Sequence, residues 1–289
     1  MKDVYDVCMF FNENDLLEIR INEHWDFVKK FIIIESLQTH AGHEKPQNFD
    51  SKRFEKYSDK IEYVLIESLD ELYENFLSDN KHLLAPSFFM KWAGHKKEQI
   101  ECWKRENLQT NYCIEVLKKL NAKDEDWVLW GGLDEIVKSE SMLSLPPAPI
   151  YSFELKTYVY KLNIYFKDMA GPLVSSYENY KKYLPSELRS SCVGFSNMVK
   201  DAGWHFTGLS KTKENLRDKY TSFSHSKDAF WEGIEDLSDD DLESKVITSY
   251  IEDFFDDPSS RVVKIDKTFP KFIRDNIEVL NDYIYKEKE

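Results

Sequence analysis

Asp126-Trp-Val-Leu-Trp-Gly-Gly-Leu-Asp134-Glu135-Ile136 is the stretch around which the fold is organised. Residues 127–130 form a short, continuous apolar run, which is typical of a strand that is buried on both faces of a sheet. The two glycines that follow allow the backbone to turn sharply. We therefore expect a central strand here, and a turn that brings Asp134 and Glu135 to the C-terminal edge of the sheet.

The position of these two carboxylates suggests a ligand site. Open α/β sheets bind ligands in the crevice beyond the carboxyl ends of their strands. Adjacent carboxylates in such a crevice are suited to a divalent cation that holds a nucleotide diphosphate. The alternative is structural, because Asp134 could simply cap the turn that follows. The stretch by itself leaves both interpretations open.

Length and composition restrict the class of protein. The 289 residues suffice for one large domain or two small ones, and the few Gly and Pro residues predict a chain that is folded throughout. The 53 acidic residues exceed the 39 basic ones and give a net charge of −14. This charge argues against an electrostatic nucleic-acid or anionic-membrane binder. A phosphorylated ligand would need local groups or a metal.

Cysteine spacing and hydropathy exclude further classes. The four cysteines are scattered without CxxC spacing, so neither a zinc knuckle nor a disulfide framework is indicated. No signal peptide precedes the first strand, and no apolar run approaches the roughly 20 residues that a membrane span needs. We therefore expect a soluble, cytoplasmic protein without a membrane span.

The first 137 residues have the pattern of a doubly wound, mostly parallel sheet. Residues 4–11 are rich in β-forming types and residues 31–34 are uniformly apolar, so both segments predict strands. Between them, apolar residues recur at helical spacing and predict an amphipathic helix. This stripe consists of Leu17, Ile21, Trp25 and Val28. Strand, helix and strand in this order form a βαβ unit.

The remaining segments complete the expected α/β organisation. Residues 38–59 predict an extended loop with a short helix, residues 61–66 a third strand, and residues 91–120 a long helix, whereas residues 70–79 fit a helix or a loop. After Pro146, the Tyr- and Phe-rich alternation of residues 151–166 favours antiparallel strands. Ser238-Asp-Asp-Asp-Leu-Glu243 predicts a capping box at the start of a late helix.

Four blocks of sequence, in this order, together resemble glycosyltransferase family 17, whose best-known members add the bisecting N-acetylglucosamine to N-glycans. The first is Phe11-Asn-Glu13-Asn-Asp-Leu-Leu-Glu18-Ile-Arg20-Ile-Asn-Glu23, continued by Phe31-Ile-Ile-Ile-Glu35-Ser36 and Thr39-His-Ala-Gly42 with Lys45 behind it. The second surrounds Trp103 and Arg105, the third is Asp134-Glu135-Ile136, and the fourth joins Gly203-Trp204-His205 to Ser222-Phe-Ser-His225.

The resemblance implies a GT-A type fold, with a mostly parallel, doubly wound sheet and an added antiparallel part on the acceptor side. It implies an inverting transfer of N-acetylglucosamine or a related hexose from a UDP-sugar to a hydroxyl of a glycan acceptor. A DxD motif would hold Mn²⁺ or Mg²⁺ on the donor. Under this interpretation, residues 1–235 form the catalytic domain, whose nucleotide-binding and acceptor halves meet near residue 140, and residues 236–289 form a helical extension packed on it.

The sequence departs from the family in the DxD motif itself. Where the family reads DxDE followed by Ile-Pro, this chain reads Gly132-Leu133-Asp134-Glu135-Ile136-Val137, so glycine replaces the first acid. Asp134 then remains as the metal ligand, supported by Glu135. Three interpretations stay open: a weaker metal site completed by His225 or His205, a metal-independent enzyme that uses Lys or Arg, and a lapsed enzyme that only binds sugar nucleotide or glycan.

The resemblance also implies roles for individual residues. The donor would be bound by Phe11, Asn12, Glu13, Glu35, Lys45, Arg105 and His205, and the metal by Asp134, Glu135 and His225. Glu154 and Asp201 are candidates for the general base. Structural alternatives remain for several of them: an ion pair of Arg20 with Glu35 or Glu23, a surface pair of Arg105 with Glu101 or Glu106, and a core position for either histidine. A nucleotidyltransferase would need a glycine- and arginine-rich loop after the first strand, and residues 10–16 contain neither glycine nor a basic residue.

Overall fold

The computed structural model describes residues 2–78, 84, 94–146, 148–193, 197–227, 231, 233–256 and 258–286. Within these residues, nine strands form one sheet. The strands are β1 (Val4–Phe10), β2 (Lys30–Ser36), β3 (Ile61–Ile66), β4 (Trp127–Trp130), β5 (Glu135–Val137), β6 (Ile150–Val159), β7 (Tyr165–Ser176), β8 (Asn197–Val199) and β9 (Gly203–Thr207). The helices are α1 (Asn14–His24), α2 (Leu69–Ser78), α3 (Lys97–Asn111), α4 (Cys113–Lys119), α5 (Ser139–Leu143), α6 (Tyr177–Lys182), α7 (Pro185–Cys192), α8 (Lys213–Ser222), α9 (Asp239–Thr248) and α10 (Lys271–Asp275).

The N-terminal part of the sheet is parallel, as its apolar runs predict. The strands lie in the order β3, β2, β1, β4, and each neighbouring pair is parallel. Strand β4 lies inside the sheet between β1 and β7, so the prediction of a central strand at residues 127–130 is confirmed. Residues 70–79, for which the sequence allowed either a helix or a loop, fall largely in helix α2.

The remaining strands make the sheet mixed. Strand β7 pairs antiparallel with both β4 and β6, β9 runs parallel to β6, and β5 pairs antiparallel with β9. The α/β class and the antiparallel pair after residue 150 are therefore confirmed. The sheet continues across residue 140, and the division of the chain into domains stays a prediction.

Strand β5 follows β4 closely in the chain, but it lies four positions away from β4 in the sheet, at one end of the strand order. Four strand spacings in a flat sheet would separate them by about 19 Å. The five residue steps from Trp130 to Glu135 reach at most about 18 Å, even when fully extended. The sheet must therefore curl, and the Gly131–Asp134 turn links the central strand β4 to the end strand β5.

Helix α1 is more deeply buried than an amphipathic helix on a sheet surface. Leu17 and Ile21 of the predicted stripe are buried, but the side chain of Arg20, which lies off the stripe, is also fully buried. The ion pair that it forms is with Asp6 on β1, at 2.6 Å, so the predicted pairing with Glu35 or Glu23 is wrong. A single chain segment does not reveal that β1 carries a buried acid facing this helix.

The Arg20 guanidinium ties three parts of the fold together. Besides Asp6, it donates to the backbone oxygens of Gly132 at 2.6 Å and Glu135 at 2.8 Å. His24, one turn further along α1, contacts Asp6 at 2.7 Å. Burial by itself would raise the pKa of Asp6, but Arg20 and His24 hold this pKa well below its ordinary value. The carboxylate therefore stays charged inside the core.

Two other predicted segments differ in detail. The helix predicted for residues 91–120 is divided in its described part into α3 and α4, and its beginning at Lys91 and Trp92 lies outside the described residues. The predicted cap of the late helix is confirmed, because the Ser238 side chain accepts a hydrogen bond from the Asp241 amide at the start of α9. No helix among the described residues is long and apolar enough to span a membrane.

We expect Arg20→Met to lower the free energy of unfolding by about 3–5 kcal/mol at pH 7, because the buried Asp6 carboxylate loses its guanidinium partner and keeps only the contact with His24. Urea unfolding measures this change. Arg53→Met is the matched control. Arg53 pairs with Asp15 and Glu18 in a partly exposed position, and such ion pairs contribute about 0–1 kcal/mol to stability.

The pH dependence of this difference has a definite sign. The pKa of Asp6 is lowered in the folded state, so its stabilisation is present above the ordinary Asp pKa of about 3.9 and is lost as the pH falls further. The difference in free energy of unfolding between the wild type and Arg20→Met should therefore become smaller at acidic pH. An Arg20→Met variant no less stable than Arg53→Met would contradict a dominant role for this pair.

Candidate functional site

Asp134 lies in the turn that links the central strand β4 to the end strand β5. It ends the turn after β4, and its backbone oxygen accepts a hydrogen bond from the Phe206 amide at 2.9 Å. Arg20 donates to the backbone oxygens of Gly132, Leu133 and Glu135, which lie on both sides of Asp134 in the chain. These contacts fix the backbone on both sides, so the Asp134 carboxylate is presented by a rigid turn.

Two basic side chains face this carboxylate. Nε2 of His205, on β9, lies 3.7 Å from Oδ1 of Asp134, and Nζ of Lys219, on α8, lies 3.6 Å from Oδ2. Burial by itself would raise the pKa of Asp134, but Lys219 and His205 hold it well below its ordinary value. Burial would lower the pKa of His205, and Asp134 reverses this effect and raises that pKa. Asp134 is thus an anion held between two bases.

A cavity of about 220 Å³ opens in front of Asp134. It lies beyond the carboxyl ends of β1, β2 and β4, which is the crevice where open α/β sheets bind ligands. The predicted residues that line it are Phe11, Glu13, Lys45 and Asp134. A more polar cavity of about 570 Å³ adjoins it through Phe11, Thr39, Lys45 and Ser222, and Asn12 lines this second space.

Glu13 connects the end of β1 to Lys219. One carboxylate oxygen accepts hydrogen bonds from the amides of Phe11 at 3.3 Å and Asn12 at 3.1 Å, just before α1. The other lies 3.4 Å from Nζ of Lys219. Glu13 and Asp134 therefore share one ammonium group at the mouth of the cavity.

Glu35 is directed into the protein rather than into the cavity. Its side chain is fully buried and forms an ion pair of 2.5 Å with Lys45. It also accepts hydrogen bonds from the Asn48 amide at 2.7 Å and the Tyr63 hydroxyl at 2.9 Å. Glu35 thereby fixes the loop after β2. The prediction that Glu35 forms an ion pair is confirmed, but its partner is Lys45 and not Arg20.

Glu135, predicted as a metal ligand, is also engaged internally. It is buried and forms two hydrogen bonds with Arg189 of α7, at 2.7 and 2.8 Å. The Gly132 amide donates to the same carboxylate at 2.7 Å. Burial would raise the pKa of Glu135, but Arg189 lowers it. Glu135 is therefore an anionic support for the turn, and it is not among the residues that line the cavity.

Arg105 and His225 lie outside the cavity lining. Arg105 forms two hydrogen bonds with Asp70, at 2.9 and 3.0 Å, and donates to the His40 backbone oxygen at 3.1 Å. Its ion pair is therefore with Asp70, not with Glu101 or Glu106. His225 is exposed, and its ring meets the Trp103 ring edge-on, with 4.6 Å between the centroids.

The two general-base candidates are both paired with lysines. Glu154 on β6 pairs with Lys200 at 2.5 Å. Asp201 precedes β9 in a left-handed conformation (φ of 48°) and pairs with Lys138 at 2.9 Å and Lys156 at 3.2 Å. Neither residue lines either of the two cavities. Their assignment stays a prediction from the resemblance.

The side chains around Asp134 do not fit a resident divalent metal. Among the described residues, no group of three or more His, Cys, Asp or Glu side chains could hold one. Gly132 supplies no ligand, and a Cβ built there would lie 2.6 Å from Oδ1 of Asp134, so the surviving carboxylate already lies beside the first DxD position. Its oxygens face Lys219 and His205. The predicted ligands Glu135 and His225 have other partners.

Sequence reasoning missed Lys219 and Arg189 as site residues. A basic segment is recognisable around residues 211–219, but nothing in its spacing selects one lysine. Lys219 becomes notable only because α8 packs where it reaches both Glu13 and Asp134. Arg189 likewise gains its role from the position of α7 beside the turn.

Comparison with known proteins identifies the N-terminal part of the chain. Residues 1–100 match the family model of glycosyltransferase family 17. The matched segment makes up 100 of the 289 residues. The match includes the first block of the resemblance and the cavity residues Phe11, Glu13 and Lys45, and it confirms the expectation of a glycosyltransferase.

Two further comparisons add little to this partial match. No curated protein matches the chain. Among solved structures, the chain is similar to glucosyl-3-phosphoglycerate synthase from Mycobacterium tuberculosis in complex with Mn²⁺, UDP and phosphoglyceric acid. The identity is 11%, the similarity covers 70% of this chain and 69% of that one, and the TM-score is 0.32. A similarity at this level carries no weight for fold or ligand.

We expect the His205 ring to titrate above the ordinary histidine value of about 6.5, because Asp134 stabilises its charged form. The stabilisation is present below that ordinary value and is lost as the pH rises through the folded pKa. Asp134→Asn should lower the pKa of His205, as measured by NMR titration of the ring protons. Asp124→Asn, which alters a surface pair with Lys181, is the control. A wild-type His205 that titrates at or below 6.5 would contradict the coupling.

Proposed function

We propose that the chain is a glycosyltransferase of the GT-A type, which moves a sugar from a UDP-sugar to a hydroxyl group of a glycan acceptor. The observation that carries the proposal is the Asp134 carboxylate, held at the mouth of a cavity beyond the carboxyl ends of β1, β2 and β4. The ends of β1 and β2 lie within residues 1–100, which match a glycosyltransferase family model. The site and the family thus support the same activity.

The nucleotide would occupy the cavity, and the diphosphate would lie near Asp134. Phe11 offers an aromatic face at the end of β1, and Glu13 and Lys45 offer polar groups beside it. The adjoining polar cavity extends the available space away from the sheet. This arrangement suits a donor whose base and ribose are enclosed while its sugar reaches solvent. The sugar is proposed to be N-acetylglucosamine or a related hexose, following the resemblance.

The reaction would be an inverting displacement. The acceptor oxygen bonds to the anomeric carbon as the bond from that carbon to the diphosphate oxygen breaks, and the electron pair of the broken bond stays on the leaving UDP. A base takes the proton of the acceptor hydroxyl. Glu154 and Asp201 remain the predicted candidates for this base. Each is paired with lysine, so either would have to leave its partner to accept the proton.

A second candidate function is sugar-nucleotide binding without turnover. One observation favours it: the first acid of the DxD motif is replaced by Gly132, and Asp134 is held by protein bases. A binding protein would retain affinity for the donor but release no UDP. Both functions require the same cavity.

A UDP-sugar screen with product detection separates the two functions. We expect a thermal shift and acceptor-dependent UDP release with at least one UDP-sugar. Asp134→Ala should reduce turnover by about 100-fold or more, because it removes the carboxylate that positions the basic groups of Lys219 and His205 beside the leaving group. At 100-fold saturation a ligand adds about 2.7 kcal/mol to stability, which is readily detected. Asp124→Ala, in an exposed pair with Lys181, is the matched control. Binding without release would favour the second candidate, and no shift with any UDP-sugar would reject both.

A further inference from the structure

Lys219 occupies the position in which a cation would meet a bound diphosphate. It projects from α8 toward the cavity mouth, with Nζ at 3.4 Å from Glu13 and 3.6 Å from Asp134. It lines the cavity in front of Asp134 and also a smaller space beside Asn12 and Leu209. Its ammonium group therefore lies between two carboxylates and is open to the space where a ligand fits.

The contacts of Lys219 are looser than those of the other lysine at this site. Lys45 is 2.5 Å from Glu35 and also donates to the backbone oxygens of Phe11 and Pro46, so its ammonium group is engaged on several sides. Strong charge-assisted hydrogen bonds measure about 2.7–2.9 Å. Both carboxylate contacts of Lys219 are longer than this. Its ammonium can therefore turn toward an incoming anion without breaking a tight ion pair.

The motif beside Lys219 has lost the charge that a metal would need. Gly132 replaces one acid, and the described residues contain no cluster of ligands sufficient for a metal. Asp134, the acid that remains, faces Lys219 and His205. A divalent ion at this point would have to displace a protein cation and would find a single carboxylate from the motif.

We propose that Lys219 replaces the divalent metal and binds the diphosphate of the donor directly, so that donor binding needs no metal ion. The inference rests on the proposed function, since it assumes a sugar nucleotide in this cavity. A lysine ammonium is a compact point charge and is suited to phosphate oxygens. Asp134 and Glu13 then position the Lys219 ammonium group. Asp134 binds this ammonium group instead of a metal ion.

The same ammonium would also serve the leaving group. When the bond between the anomeric carbon and the diphosphate oxygen breaks, negative charge develops on that oxygen. Lys219 would stabilise this charge as a fixed, partly buried cation. One monovalent group supplies less charge than a divalent ion, and His205 on the other side of Asp134 makes the surroundings less negative when it is protonated.

Calorimetric titration with UDP tests the inference directly. It is carried out on the full chain with EDTA and, separately, with Mn²⁺, for the wild type, Lys219→Met and Lys213→Met. Lys213 lies on the same helix and pairs with Asp240 and Glu243, away from both cavities, so it is the matched control. We expect similar UDP affinity with and without Mn²⁺ for the wild type and the control. Lys219→Met should bind about 10- to 100-fold more weakly in both conditions.

The other outcomes separate this inference from the proposed function. Binding of UDP only in the presence of Mn²⁺ would overturn metal independence and leave the donor site intact. Unchanged affinity in Lys219→Met would show that another group holds the diphosphate. Absence of UDP binding by the folded wild type in both conditions would reject the donor site itself. Unfolding curves of each variant exclude a trivial loss of fold, and Lys219→Arg, which keeps the charge, should restore part of the affinity.

Discussion

The buried pair of Arg20 and Asp6 is the constraint on which the site depends. A charged guanidinium inside a core is tolerated only when its charge and its donors are matched, because desolvation costs several kcal/mol per ion. Asp6 supplies the charge, and the carbonyl oxygens of Gly132 and Glu135 supply the remaining acceptors. The same interaction that neutralises the core therefore fixes the turn that carries Asp134.

The curl of the sheet supplies the other half of the site. Strand β5 follows the turn at once, yet it pairs with β9 at the far end of the strand order. Glu135 lies opposite His205 in this pairing, and His205 thereby reaches Asp134. The candidate site is thus assembled from the centre and one end of the same sheet, and α8 completes it with Lys219.

The electrostatics of the site differ from those of the chain as a whole. A net charge of −14 would repel a nucleotide diphosphate at long range. Among the described residues at the cavity, the positive groups are paired with specific acids: Lys45 with Glu35, and Lys219 with Glu13 and Asp134. The difference between the two lysines is one of distance. Lys45 is tightly paired and holds the loop after β2, whereas Lys219 is loosely paired and can bind an anion.

Local sequence patterns predicted the central strands and the turn that carries Asp134, whereas the partners of the charged side chains depend on tertiary packing. Apolar runs and a Gly-Gly turn were enough to predict β1, β2, β4 and the position of Asp134 beyond the end of β4, because these features depend on neighbours in the chain. Partner choice could not be predicted in this way: Arg20 pairs with Asp6, Glu135 with Arg189, and Lys219 reaches Asp134. Charge type and spacing allow many such pairs, and only the packing of distant segments brings one of them within bonding distance.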